Sequence, residues 1–204
     1  MEIQCFAFVA PRKTYVLLIF PSAMAADSNL LQRALGRAYS GLLLSNTVKL
    51  NLLVHRVSSM IIQDVFALRA DELVSMAYFY FDFRDINKQN RRDLLLSLVT
   101  QLSDQSHRHC DILNDFYLNH GSGAEQPSED GLMQCLKDTL TIPDQPPVYL
   151  IIDALDECLD TFGLPSPREK VLDLVRELVE FSPLNLRLCV TSRPEVDIRR
   201  APNF

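Results

Sequence analysis

From Met76 onward the spacing of apolar and polar positions predicts strands alternating with helices. Residues 77–83 (AYFYFDF) are rich in aromatics and predict a strand, with residues 85–90 as its polar exit. Leu94, Leu95, Leu98, Val99 and Leu102 then recur at helical spacing, and Asn90 is placed to cap them. Ile112, Leu113, Phe116 and Tyr117 predict a second helix, closed by a loop over residues 119–127. Leu132, Met133, Leu136 and Leu140 predict a third, opened by Ser128. Residues 148–152 form an apolar run that suits a strand buried on both faces. Ser166-Pro167-Arg168-Glu169 has the form of a capping box with proline at the first helical position. Val171, Leu174, Val175 and Leu178 continue one apolar face until Pro183. Residues 186–190 are again a short apolar run.

Strands alternating with helices imply an α/β fold, a parallel sheet with helices on its faces. The first 70 residues are less legible. Residues 15–20 suit a strand, and residues 30–44 and 57–68 suit helices, but no motif fixes them. No internal repeat or low-complexity tract is present.

Composition narrows the class. The chain has 204 residues, 48% hydrophobic and 23% charged, the balance of a soluble globular domain. The net charge of −6 gives no footprint for nucleic acid or an anionic membrane, so neither is an expected partner. Five scattered cysteines without a C-x-x-C pair suit a reducing, cytoplasmic setting better than a disulfide framework. A second reading of the amino terminus exists: Arg12-Lys13 before apolar residues 15–26 resembles a secretory signal, against which stands Pro21 within the run. His107, His109 and Cys110 lie close together, but no second cluster completes a four-ligand metal set.

Ligands of a parallel sheet bind outside the carboxyl ends of its strands. Two predicted strands end there in charged residues: Asp153 follows Ile152, and Arg193 follows the run ending at Val190. A carboxylate for a divalent cation and a guanidinium for a terminal phosphate would suit a metal-bound polyphosphate. The plainer reading makes Asp153 a turn former and the group Asp153, Asp156, Glu157 and Asp160 a solvated turn. Glycine sharpens the choice. Only six are present, none followed by lysine, which excludes both G-x-x-x-x-G-K-[ST] and G-x-G-x-x-G. No G-x-S-x-G elbow or H-E-x-x-H helix offers another catalyst.

The strings AYFYFDFRD, VYLIIDALDEC and LRLCVTSRPE, in that order, resemble the NACHT module of STAND-class P-loop NTPases. The likeness is above all to the nephrocystin-like N-terminal module of large fungal ankyrin-repeat or WD-repeat proteins, and it covers residues 57–195. It implies a three-layer P-loop-NTPase-like parallel sheet, incomplete at both ends. Residues 1–56 would then be an atypical N-terminal segment and residues 57–204 a partial NTPase domain. By the same resemblance Asp153 is the Walker B aspartate that helps to hold Mg2+. Asp156 and Glu157 are the acidic pair that orients or activates the hydrolytic water, and Arg193 is the sensor arginine that reads the terminal phosphate of ATP or GTP. Pro194 would fix the turn after it. Protein partners or a homo-oligomer are expected.

The departure lies in residues 51–56 (NLLVHR), where the family carries its phosphate loop. They hold no glycine, no lysine and no Ser/Thr directly after one. Each lost bond to a charged phosphate is worth about 1.5–3 kcal/mol, so losing three weakens binding on the order of a thousandfold or more. Mg2+ with ATP or GTP is the expectation for the family, and no bound nucleotide is the expectation for this chain. Three readings stay open: a signalling NTPase module whose loop-bearing segment is replaced in this version of the gene product, a nucleotide-independent pseudo-NTPase interaction module, or a secreted or otherwise unrelated α/β protein.

Overall fold

The computed structural model describes residues 3–10, 14–21, 51–120, 125–160, 165–181 and 183–193. In chain order its elements are β1 (Ile3–Ala10), β2 (Thr14–Pro21), α1 (Asn51–Ala70), β3 (Ser75–Tyr80), α2 (Arg91–Ser103), α3 (His107–Asn119), α4 (Glu129–Leu140), β4 (Val148–Asp153), α5 (Pro167–Phe181) and β5 (Leu186–Ser192). The sheet order is β1-β2-β5-β4-β3.

Helix starts follow the capping chemistry. Asn90 accepts from the Asp93 N–H at 2.9 Å, and Ser128 from the Gly131 N–H at 3.0 Å. Before α5, the Glu169 carboxylate accepts from the Ser166 N–H at 2.7 Å while the Ser166 hydroxyl accepts from the Glu169 N–H at 3.2 Å, a reciprocal capping box. The second helix begins five residues ahead of Ile112, because Ser106 accepts from the His109 N–H at 3.2 Å and so starts α3 at His107. The helix expected over residues 57–68 lies inside α1, and the one over residues 30–44 falls outside the described residues.

The α/β reading holds for the centre of the sheet, where β3, β4 and β5 are parallel. The sheet as a whole is mixed, because β2 pairs antiparallel with β5 and β1 antiparallel with β2. Only three residues separate Ala10 from its ladder partner Thr14, a connection too short for the crossover that parallel strands need. Pairing also ends β3 earlier than its aromatic run suggests. Phe81 still donates to the Asp153 carbonyl at 3.1 Å, but Asp82 turns back to the Lys88 carbonyl at 3.3 Å.

Successive strand side chains point to opposite faces, so each central strand serves two cores. Val148, Leu150 and Ile152 join Ala77, Phe79, Leu188 and Val190 under α2, α4 and α5. Tyr149 and Ile151 join Met76 and Cys189 on the other face, under Ile61, Ile62 and Val65 of α1. The same alternation turns Asp153 and Thr191 toward the α1 side. Among the described residues no helix is long and apolar enough to cross a membrane.

Core and cap are separable in a stability measurement. Leu98 is fully buried between α2 and the sheet, so Leu98→Ala is expected to cost about 2–5 kcal/mol in urea denaturation. Ser166→Ala removes one half of a capping box and is expected to cost about 1 kcal/mol.

Candidate functional site

The site is assembled by the register between β4 and β5. Ile152 lies opposite Val190, which sets Asp153 beside Thr191 at the carboxyl ends of the two strands. Both residues are fully buried. The Thr191 hydroxyl donates to Asp153 Oδ1 and accepts from the Ala154 N–H at 3.2 Å. Tyr80, opposite Asp153 on β3, has its phenol pushed up to about 12, first by burial and then by the Asp153 charge. Cys189 is likewise pushed up to about 12, by burial and then by the same charge. The Asp153 carboxylate therefore projects its field into the layer beneath α1.

Beyond Asp153 the chain reverses sharply. Ala154 sits in the left-handed region at φ 56°, unusual for a residue with a Cβ, and Leu155–Glu157 follow as one 3-10 turn. The reversal aims Asp156 at the end of β5. Its Oδ1 accepts from the Arg193 N–H at 2.7 Å, and its Oδ2 accepts from Arg193 Nε at 2.5 Å. The Ser192 hydroxyl adds a longer bond to Oδ1 at 3.4 Å. The Asp156 side chain is 4% exposed and that of Arg193 48%, so a buried carboxylate grips a guanidinium that still reaches solvent. Glu157 is half-buried, and the Arg84 guanidinium, held by Asp82 at 3.0 and 3.2 Å, feels its charge.

Asp153, Asp156, Glu157 and Arg193 thus converge on one edge of the sheet. Pro194 lies outside the described residues. Two further residues shape the site without any sign in the motif strings. Arg168, in the first turn of α5, is buried and donates through Nη2 to the carbonyls of Asp156 and Cys158, both at 2.9 Å, and through Nε to Cys158 at 3.1 Å. The one available signal was its position, since the first turn of a helix disfavours a cation unless acceptors hold it. Gln89 is buried behind β3 and ties the two loops together. It accepts from the Leu159 N–H at 3.1 Å, donates to the Asp82 carbonyl, and its own carbonyl accepts from the Cys158 thiol at 3.2 Å.

Residues 51–56 form the first turns of α1. This helix ends four residues before β3, so its carboxyl end lies at the amino edge of the sheet. At about 1.5 Å per residue, its 20 residues span roughly 30 Å and outreach a six-residue strand of about 20 Å, which carries its first turns to the Asp153 edge. Elsewhere, the His107–His109–Cys110 group resolves into separate roles. His109 is buried, with Nδ1 3.0 Å from the Leu102 carbonyl and Nε2 2.9 Å from Gln145 Oε1, and Cys110 is exposed. Among the described residues no three His, Cys, Asp or Glu side chains are grouped to hold a metal ion.

Two measurements check this geometry. Arg168→Leu strips donors from two carbonyls of the acidic turn and is expected to lower stability by about 2–4 kcal/mol in urea, with Arg168→Lys restoring only part. Burial pushes the Cys158 and Cys189 thiols up to about 12, leaving roughly one thiolate in ten thousand at pH 8. Iodoacetamide at that pH is expected to modify the exposed Cys110 and to spare Cys158 and Cys189 until denaturant is added.

Compared with known proteins, residues 56–193 match the model of one family, described as Nephrocystin 3, N-terminal. No curated protein and no solved structure matches the chain.

Proposed function

Because the chain belongs to the nephrocystin-3 N-terminal family, we propose that it is a NACHT-like module of the STAND P-loop NTPase type that keeps its Walker B and sensor edge but works without holding a nucleotide. The observation that carries this reading is the backbone of residues 51–56. A phosphate nest needs successive N–H groups turned outward from a glycine-rich loop with a lysine beside it, whereas here the segment is the start of helix α1 and holds neither glycine nor lysine. Strand direction supports it too. A phosphate loop joins the carboxyl end of a strand to the start of a helix. β2 runs antiparallel to β5 and ends at the opposite edge from the first turns of α1.

This reading takes the acidic edge as engaged within the protein. Asp153 is fully buried with one oxygen on Thr191, and both oxygens of Asp156 are taken up by Arg193. In this reading Asp156 positions the arginine instead of activating water, Arg168 holds the turn, and Glu157 and the exposed Asp160 are acidic groups that still reach solvent. The edge then acts as a fixed surface of a module that binds protein partners or further copies of itself.

The test is a titration of the full chain with fluorescent ATP and GTP analogues in millimolar Mg2+. With an amide nest and a lysine missing, affinity is expected on the order of 1 mM or weaker, and micromolar saturation overturns the reading. The start of the family match at residue 56 favours a second reading, in which a different segment carries the loop before the same helix. Sequencing transcripts across the codons for residues 1–60 decides it. An alternative exon encoding G-x-x-x-x-G-K-[ST] establishes the second reading, and its absence leaves the first.

A further inference from the structure

At Met76 and Tyr78 the outer edge of β3 is met by side chains. In a parallel ladder alternate residues turn their N–H and C=O toward one neighbour, so Ser75 and Phe81 face β4, donating to the carbonyls of Pro147 and Asp153. Met76 and Tyr78 face outward, and Gln101 of α2 and Gln105, in the turn just past its end, meet them. The Met76 N–H donates to Gln105 Oε1 at 2.9 Å, and Gln105 Nε2 donates back to the Met76 carbonyl at 2.6 Å. The Tyr78 N–H donates to Gln101 Oε1 at 3.1 Å, and Gln101 Nε2 donates back to the Tyr78 carbonyl at 2.7 Å.

The match is geometric. Gln105 sits in a turn that continues the end of α2, its N–H donating to the Leu102 carbonyl at 3.0 Å, so the two glutamines stay about one turn apart and fall beside alternate strand residues, which are about 6.6 Å apart. The later glutamine meets the earlier strand residue, as an antiparallel strand would. The second amide hydrogens are also placed, with Gln101 Nε2 on the Ser97 hydroxyl at 2.8 Å and Gln105 Nε2 on the Gln101 carbonyl at 2.6 Å. Rotating either amide would set oxygen against oxygen, so these contacts fix its orientation. Satisfying the backbone does not by itself require this, because water can serve an exposed edge without freezing two long side chains. Strand addition is what two amides exclude and water does not. The segment they cover, SMAYFY, is uncharged, aromatic and free of proline and glycine, the composition that pairs readily with its own kind.

We propose that Gln101 and Gln105 form a side-chain strand that seals the edge of β3 against addition of a second copy of this chain, β3 against β3 about a twofold axis. With the amides gone, that edge becomes an isologous interface and the sheet continues across two copies.

The test uses the full chain with Gln101→Met and Gln105→Met combined, a change that nearly keeps side-chain length but removes the amide donors and the amide oxygen, leaving only a weakly accepting thioether. At low concentration the Met76 and Tyr78 amides are expected to exchange with deuterium at least tenfold faster than in the wild type, while Ala77 and Phe79, facing β4, keep their protection. At high concentration light scattering is expected to give twice the wild-type mass, with protection returning at Met76 and Tyr78. A folded double variant with wild-type mass and wild-type exchange overturns the proposal. Should the pair prevent folding, the single variants decide. Gln101→Met must speed exchange at Tyr78 alone and Gln105→Met at Met76 alone, and an equal loss at both residues in either variant overturns it.

Discussion

Ile152 lies opposite Val190 in the parallel ladder between β4 and β5, and this register sets every distance in the candidate site. It places Asp153 against Thr191, starts the left-handed turn at Ala154, and lets Asp156 reach the backbone and guanidinium of Arg193. A slip of one residue would send Asp153 to the opposite face and break all of these contacts at once. The register is held from both sides, because β4 and β5 are buried along their whole length between two hydrophobic cores. The fold is therefore invested in keeping this edge rigid, and Arg168 and Gln89 extend that rigidity into the loops.

Rigidity at one edge contrasts with what the amino-terminal elements offer to it. In a phosphate-binding α/β protein, a strand, a glycine loop and a helix converge where the Walker B aspartate stands. Here α1 opens at Asn51 as helix, and β2, the described strand beside β5, runs antiparallel to it. A module built so would display its acidic turn and arginine to a protein surface, with no glycine or lysine in residues 51–56 to cradle a triphosphate. That physical contrast within one sheet is what the proposed function rests on.

Much of this was legible in residues alone. Asn90, Ser128 and the Ser166–Glu169 pair announce their helices because caps act locally, and the apolar runs of β4 and β5 announce strands covered on both faces. The four charged residues at the carboxyl edge could be placed because strand ends are where such residues gather in a parallel sheet. The hairpin of β1 and β2 was not legible, since strand direction depends on partners chosen through space and not on composition. Arg168, Gln89, Gln101 and Gln105 escaped for a related reason. Each acts by bonding to backbone far along the chain, and such bonds leave no periodic or motif signature. Asp156 shows the limit of resemblance: the motif places it, but only geometry shows both oxygens on Arg193.

Whether this edge is maintained without a nucleotide is read from thermal unfolding of the full chain with and without Mg-ATP or Mg-GTP. A ligand present at 100 times its Kd stabilises the folded state by about 2.7 kcal/mol, which for a domain of this size raises Tm by roughly 5–10 °C. A domain that works without nucleotide is expected to shift by no more than about 1 °C at a nucleotide concentration 100-fold above a micromolar Kd. A rise of the larger size, dependent on Mg2+ and abolished by Asp153→Asn, would contradict it.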